Sequence, residues 1–371
     1  MLTPKQVQLL QDELATAQNP LFLYDSDGDG LSAFLLLYRI RHEGRGVRVS
    51  TTSKIGLEFL RKVEELNPDK IFILDIPMLD QEFVDAVKRP IFWIDHHQPQ
   101  QIRNVHYFNP RIKDPDAYIP TTRMAWQVSE NQDDIWIAVA GCLADWHMPD
   151  FIEQFIEKYP YLLPEKKDLA ETIFDNPVGQ LVKLFFFLQK GPSSEVKKSI
   201  KILMKIKSPD EIFRQETAAG KFLYKRFEKI NKKYEEILQQ AKKSITRSRF
   251  IIFRYPSAYW SFTTNVANEL AAAYPQKVVI IAREKSGEMK CSLRAQVPIL
   301  GALTAALQGI EGRGGGHPNA CGAVIKEQDW DRFLDNFKQE LKTMENAPGK
   351  AKQGAENSAE DTPQTRMVEH G

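Results

Sequence analysis

The sequence predicts an α/β protein in which an N-terminal parallel-sheet domain is joined by a helical linker to a smaller C-terminal α/β domain. Three observations carry this. Short apolar runs alternate with amphipathic stretches through the first third of the chain, a pattern that buries a parallel sheet under helices on both faces. A long stretch rich in Lys, Glu and Gln, 209–244, has helix-forming composition. A second mixed region of strand and helix patterns follows it. With 371 residues, 42% of them hydrophobic, the chain can bury a full core and divide into two domains.

The first strands are expected at Pro20–Tyr24, Val47–Ser50, Lys70–Leu74 and Pro90–Ile94, with helices at Leu31–His42, Gly56–Leu66 and Leu79–Val87 between them. From Thr121 to Lys205 the pattern is largely helical. In the second region, strands are expected at Phe250–Tyr255, Lys277–Ala282, Met289–Leu293 and Gly322–Ile325, and helices around Asn265–Tyr274 and Trp330–Met344. Residues 1–205, 206–248 and 249–345 are therefore read as first domain, linker and second domain. Residues 346–371 are nearly devoid of large apolar side chains and are expected to form a disordered tail, because burial cannot offset the entropy of ordering them.

Fifty basic against 49 acidic residues leave almost no net charge, so a polyanion must be drawn by a local patch. The three cysteines, Cys142, Cys291 and Cys321, are odd in number and far apart, which fits a reducing cytoplasm and contains no CxxC zinc pair. No secretory leader pattern and no apolar run near the roughly 18 residues of a membrane span is present, so no membrane partner is expected.

Polar groups collect where the strands end. The first strand runs into Asp25-Ser26-Asp27-Gly28-Asp29-Gly30, with three carboxylates at alternate positions opening a helix. Their repulsion is unfavourable unless cations neutralise it. Asp and Gly also dominate turns and helix caps, and the spacing superficially matches a calcium loop, but the glutamate that would close such a loop falls at Leu36. The third strand ends in Asp75 and the fourth in Asp95-His96-His97. Singly, Asp75 reads more readily as a helix cap than as a ligand. Three such sites after three strands of one sheet point to a shared centre, since an open α/β sheet gathers its functional groups at the carboxyl ends of its strands. A weaker fourth signal is Asp145, at the end of the apolar stretch Ala138–Ala144. Carboxylates with imidazoles and no thiolates suit Mn2+ or Mg2+, with Mn2+ favoured by the imidazole. Two such ions about 4 Å apart can activate a water and stabilise the leaving oxygen of a phosphate ester.

These residues are similar, in order, to the four motifs of the DHH phosphoesterases: Asp25-x-Asp27-x-Asp29-Gly30, Asp75, Asp95-His96-His97 and Asp145. The triple-aspartate first motif resembles the RecJ nuclease branch. Gly314-Gly315-Gly316-His317 resembles the glycine-rich signature of the DHH-associated domain, and Cys321 stands where relatives carry a small residue such as alanine. The resemblance implies that Asp25 and Asp27 bind one ion, that Asp29, His96 and Asp145 bind the other, and that Asp75 bridges the pair. It also implies that His97 faces the scissile phosphate, with Asp95 supporting the histidines. Glycines 314–316 would bring backbone amides to a phosphate, with His317 and Arg313 as further donors, and Arg294 resembles an arginine that holds a substrate phosphate bidentately.

The expected function is a two-metal phosphodiesterase, a RecJ-like exonuclease or oligonucleotide hydrolase using two Mn2+ ions, or Mg2+ in their place. Its partners would be single-stranded DNA or RNA, oligonucleotides or dinucleotides, with replication or repair proteins and a homodimer as the assemblies the resemblance allows. A chain of this length leaves no room for the extra OB-fold of bacterial RecJ, which favours short strands or single-stranded ends. Two alternatives stay open: a phosphoesterase for cyclic dinucleotides or 3′-phosphoadenosine phosphate, and an inactive nucleic-acid-binding accessory subunit. The lysine-rich stretch, including Lys221, Lys225, Arg226, Lys229, Lys232 and Lys233, reads either as a groove for a nucleic-acid backbone or as a solvated face paired with Glu228, Glu235 and Glu236.

Overall fold

The computed structural model describes residues 1–49, 54–258 and 260–346, so Ser50 of the second expected strand and residues 347–371 of the expected tail lie outside the described residues. The chain forms two compact units, one ending at Lys232 and the other beginning at Lys233, and the helix Ala218–Lys243 carries the chain from the first into the second.

Seven strands belong to the first unit: β1 (Leu21–Asp25), β2 (Arg45–Val49), β3 (Lys54–Ile55), β4 (Ile71–Leu74), β5 (Met78–Leu79), β6 (Ile91–Ile94) and β7 (His106–Phe108). Five of them form one wholly parallel sheet in the order β2-β1-β4-β6-β7, while β3 and β5 pair separately. Alternation along the strands sends Leu21, Leu23, Ile71, Ile73, Ile91 and Trp93 into one core cluster. The opposite face presents a row of rings across neighbouring strands, Phe22 on Phe72 at 5.3 Å and Phe72 on Phe92 at 5.1 Å. Fully burying each ring stabilises the fold by roughly 2–3 kcal/mol. The helices Gly28–Arg41 and Ile135–Ala144 are buried along most of their length, which explains why their sequences read as apolar rather than amphipathic.

The second unit holds β8 (Phe250–Tyr255), β9 (Val278–Lys285), β10 (Glu288–Arg294), β11 (Gly312–His317) and β12 (Ala320–Lys326). They form a mixed sheet, β11-β12-β10-β9-β8, in which only β8 and β9 are parallel. One face packs Met289, Cys291, Leu293, Ala323 and Ile325 against Leu303, Phe333 and Phe337.

The predicted α/β architecture is thus present, with a parallel sheet first and a mixed sheet near the C-terminus. Strands β3, β5, β7 and β11 and the helix Leu300–Ala306 were not expected. The two-residue strands are too short for an alternation signal, and the glycines of β11 erase side-chain periodicity altogether. In the lysine-rich helix, Arg226 pairs with Glu195 across to another helix, Lys233 with Glu236 at 2.9 Å and Lys242 with Glu269 at 3.7 Å, as charges on a solvated face do. All three cysteines are buried and unbridged. Among the described residues no helix is long and apolar enough to cross a membrane.

Candidate metal centre

The strand order creates the site. From β1 the chain moves outward to β2 and then returns across β1 to β4, so the topological switch lies between β1 and β4, where the helices diverge and a crevice opens beyond the carboxyl ends. Asp25 closes β1, Asp75 follows β4 and Asp95 follows β6.

Asp27 caps the helix Gly28–Arg41, its carboxylate accepting from the Gly30 N–H at 2.9 Å, and Asp29 lies in the first turn, where the helix dipole favours an anion. The two glycines make this turn tight enough. A Cβ on Gly28 would lie 2.4 Å from the Ala144 Cβ, and one on Gly30 would lie 2.7 Å from the Asp25 carbonyl oxygen. Backbone cannot swing aside as a side-chain end can, so Gly30→Ala is expected to destabilise the unit by about 2–3 kcal/mol, read as a lowered midpoint in urea unfolding; an unchanged midpoint would contradict the packing.

Asp29 is almost fully buried, and its two oxygens accept the N–H groups of Thr121 at 2.8 Å and Thr122 at 2.7 Å, at the start of the helix Thr121–Ser129. Asp75 sits in the left-handed region at φ 60°, a conformation of higher energy that Asp tolerates better than most residues, and its N–H is tied to the Ile94 carbonyl at 3.0 Å. His96 brings the acids together. Its Nε2 is 3.3 Å from an Asp75 oxygen, 3.7 Å from Asp145 and 3.9 Å from Asp29.

Three sets of side chains offer donor atoms all within 4.8 Å of one another: Asp25, Asp27 and Asp75; Asp29, His96 and Asp145; and Asp75, His96 and His97. Asp75 therefore belongs both to the set at the β1 turn and to one containing the histidines. Asp95 stands behind the cluster, wholly buried. Its carboxylate accepts from His97 Nδ1 at 2.7 Å, from the His97 N–H at 3.1 Å and from Asn109 Nδ2 at 3.3 Å. That arrangement holds one imidazole nitrogen and leaves Nε2 on the far side of the ring.

Burial, followed by repulsion from Asp27, pushes the Asp25 carboxyl up to about 7. Burial also raises Asp27 and Asp29, and it raises Asp75 and Asp145 well above the carboxylate range, with the neighbouring aspartates adding to the effect. His97 moves the other way from a lone buried imidazole: burial favours its neutral form, but the Asp95 hydrogen bond and the surrounding carboxylates outweigh this and raise its pKa. A buried set of five carboxylates that resists ionisation has the electrostatics of a site completed by cations, and its oxygen and imidazole donors fit hard or borderline divalent ions.

All eight of the residues expected in this domain, Asp25, Asp27, Asp29, Asp75, Asp95, His96, His97 and Asp145, fall in this one region. Four supporting contacts were not foreseen. Tyr118 donates to both the Asp145 carbonyl at 2.7 Å and its carboxylate at 3.0 Å, Thr121 and Thr122 hold Asp29, and Asn109 holds Asp95. Asn109-Pro110 directly after an apolar strand end was the one readable signal, since polar groups at strand ends had already marked the other sites.

In the second unit, Arg294, Gly316 and His317 reach the same end of the sheet, with Arg294 and His317 both paired to Ala320. The Arg294 guanidinium donates to Asn268 Oδ1 at 2.6 Å and to the Leu293 carbonyl at 2.8 Å. Gly314–Gly316 do not form a loop: with Arg313 and His317 they make the edge strand β11. Arg313, expected beside His317, consequently lies four residues away along an extended strand, roughly 13 Å.

Residues 258–343 match the model of the DHHA1 domain family. Curated protein sequences yield no match. Among solved structures, RecJ from Thermus thermophilus in complex with Mn2+ is similar at TM-score 0.66 and 16% identity, covering 94% of this chain and 56% of that one. Exonuclease RecJ bound to manganese is similar at TM-score 0.58 and 15% identity, covering 89% and 92%. The DHH domain of a member of the s1p family of ribosomal proteins is similar at TM-score 0.63 and 13% identity, covering 91% and 89%. The present chain thus spans just over half the length of the Thermus protein. The domain match and the shared fold bear out the resemblance to DHH phosphoesterases that carry a DHH-associated domain.

Proposed function

We propose that this chain, which shares the fold of RecJ and DHH-domain structures and carries a DHHA1 domain, is a metal-dependent phosphodiesterase acting on single-stranded or short nucleic acid. The observation that supports this most is the buried cluster at the switch point, where two donor sets, Asp25-Asp27-Asp75 and Asp29-His96-Asp145, adjoin through Asp75 and His96. In this reading the first set holds one divalent ion and the second holds another, with Asp75 between them. Two bound ions would polarise a phosphoryl oxygen and lower the pKa of a water. Mn2+ is the favoured ion, because imidazole contributes to the donor set.

The protein's own groups supply orientation and a proton. Thr121 and Thr122 fix the Asp29 carboxylate, and Tyr118 fixes that of Asp145, so neither acid is left to reorient when substrate arrives. Asp95 locks the His97 ring and keeps it protonated to higher pH. His97 remains one-third exposed, open to a substrate as the wholly buried Asp95 is not. From there it can stabilise charge on the phosphate or protonate the leaving oxygen. Arg294 and His317 in the second unit have the chemistry to hold a further phosphate.

His97→Ala is expected to reduce kcat at least ~100-fold while leaving Mn2+ stoichiometry unchanged, because general acid–base groups contribute about 100- to 10,000-fold. Equal loss of metal and activity would instead make His97 a ligand. The reading as a whole is tested by incubating 5′-labelled single-stranded DNA, single-stranded RNA and a dinucleotide with the protein in Mn2+, Mg2+ or chelator. Metal-dependent laddering of a strand supports it. Cleavage of the dinucleotide alone narrows the substrate to short products, and inertness toward all three in both metals contradicts it.

A further inference from the structure

The outer face of the C-terminal sheet, opposite the face that packs its core, carries a pattern that the metal centre does not use. Three successive rows cross β11, β12 and β10. In the first, Arg313 pairs with Val324 and Val324 with Lys290; in the second, Gly315 pairs with Gly322; in the third, His317 pairs with Ala320 and Ala320 with Arg294. Paired residues in antiparallel strands share a face, and rows two residues apart are about 7 Å apart, so the two cationic rows lie roughly 13 Å apart with glycine between them.

Internal packing does not require those two glycines. A Cβ on Gly315 would meet nothing within 4 Å, and one on Gly322 would meet only the Cys291 carbonyl oxygen at 3.8 Å. Neither has a left-handed backbone, in contrast to Gly316 at φ 137°. At the first row the floor dips into a depression lined by Lys290, Arg313, Gly314, Gly322 and Thr263. Lys290 and Arg313 are exposed and, among the described residues, join no ion pair. The next row outward is different, because Lys326 lies 3.7 Å from both Glu288 and Glu311. Positive charge with no paired acid therefore stands at the Lys290–Arg313 row, directly beside the bare floor.

We infer that this face is a docking surface for a single-stranded oligonucleotide of at least three nucleotides, and that the Lys290–Arg313 row is a phosphate subsite beyond the one at Arg294 and His317. The inference deepens the proposed function and rests on it. Charge complementarity selects a polyanion, and the flat, unobstructed glycine floor leaves room for a sugar or base between two held phosphates. The separation of the rows exceeds what one sugar between adjacent phosphates can span. A dinucleotide can thus occupy one row, whereas a longer strand reaches both.

The test is fluorescence-anisotropy binding of a labelled oligothymidylate decamer and a labelled thymidine dinucleotide to the full chain in chelator, across a salt series. Lys290→Glu combined with Arg313→Glu is expected to raise the decamer Kd at least tenfold, to raise the dinucleotide Kd much less, and to flatten the decamer's log–log salt slope by about 1.4, the value for two phosphate contacts on a single strand. Gly315→Ala, which obstructs the floor without changing charge, is expected to raise the decamer Kd with an unchanged melting temperature. An unchanged decamer Kd and slope, equal losses for both ligands, or no decamer binding by the unsubstituted protein would each overturn the subsite. Hydrolysis of the dinucleotide in Mn2+ by the unsubstituted protein is read separately. Its absence would count against the phosphodiesterase reading, whatever the decamer does.

Discussion

Asp75→Asn is expected to lower kcat at least ~1000-fold, about 4 kcal/mol of barrier, while the fold is retained and its stability in chelator rises. The two effects have one cause. Asp75 is held well above the ordinary carboxylate range first by burial and then by repulsion from Asp29, Asp27, Asp25 and Asp145. A neutral amide of the same shape removes that repulsion and relieves the metal-free protein. Asparagine is also the substitution best suited to φ 60°, so backbone strain does not confound the comparison. The same change removes the carboxylate shared between the two donor sets, so the protein should lose its response to Mn2+ as well as its turnover. Retained hydrolysis, or a variant that melts lower than the parent in chelator, would contradict this role for Asp75.

The second large effect is on stability against pH without metal. A carboxyl in the unfolded chain releases its proton near pH 4, whereas folded Asp25 does so only near 7. Between those values the folded state binds more protons than the unfolded state, so stability falls as pH rises through this window. His97, raised by its Asp95 hydrogen bond despite burial, contributes with the same sign, since its advantage is lost as it deprotonates. In chelator, the loss from pH 5 to pH 7.5 is expected to be on the order of 2–4 kcal/mol, or roughly 5–10 °C in melting temperature. Divalent ions compete with protons for the same oxygens, so stabilisation by Mn2+ should grow over that interval. Thermal melts in chelator and in Mn2+ across the pH series check this, and a chelator curve that is flat or rises with pH would contradict it.

Which parts of this were legible in the sequence follows from the range of the interactions involved. Strands β1, β4 and β6 are short apolar runs ending in polar groups, so sequence alone places Asp25, Asp75 and Asp95 at one edge of a sheet once the sheet is taken as parallel. Asp145 was the weaker expectation because it ends a helix and joins the others only through tertiary packing, which sets it 3.7 Å from His96 Nε2. Tyr118, Thr121 and Thr122 carried no signal at all. An exposed tyrosine and two threonines at a helix start are ordinary residues until the fold sets them against Asp145 and Asp29. In β11, consecutive glycines suggested a phosphate loop, but pairing with β12 makes the segment an edge strand and separates Arg313 from His317. Local pattern could not reveal that, because a glycine run carries no side chains by which to read period or register.

The central claim is that the cluster at the switch point binds two divalent ions through Asp75. Metal content after equilibrium dialysis against Mn2+ at neutral pH, measured by mass spectrometry on the intact protein and on Asp75→Asn, tests it most directly. Two ions per chain in the protein, falling to one or none in the variant, is the expected result; no bound manganese in the protein, or two ions retained by Asp75→Asn, would contradict it.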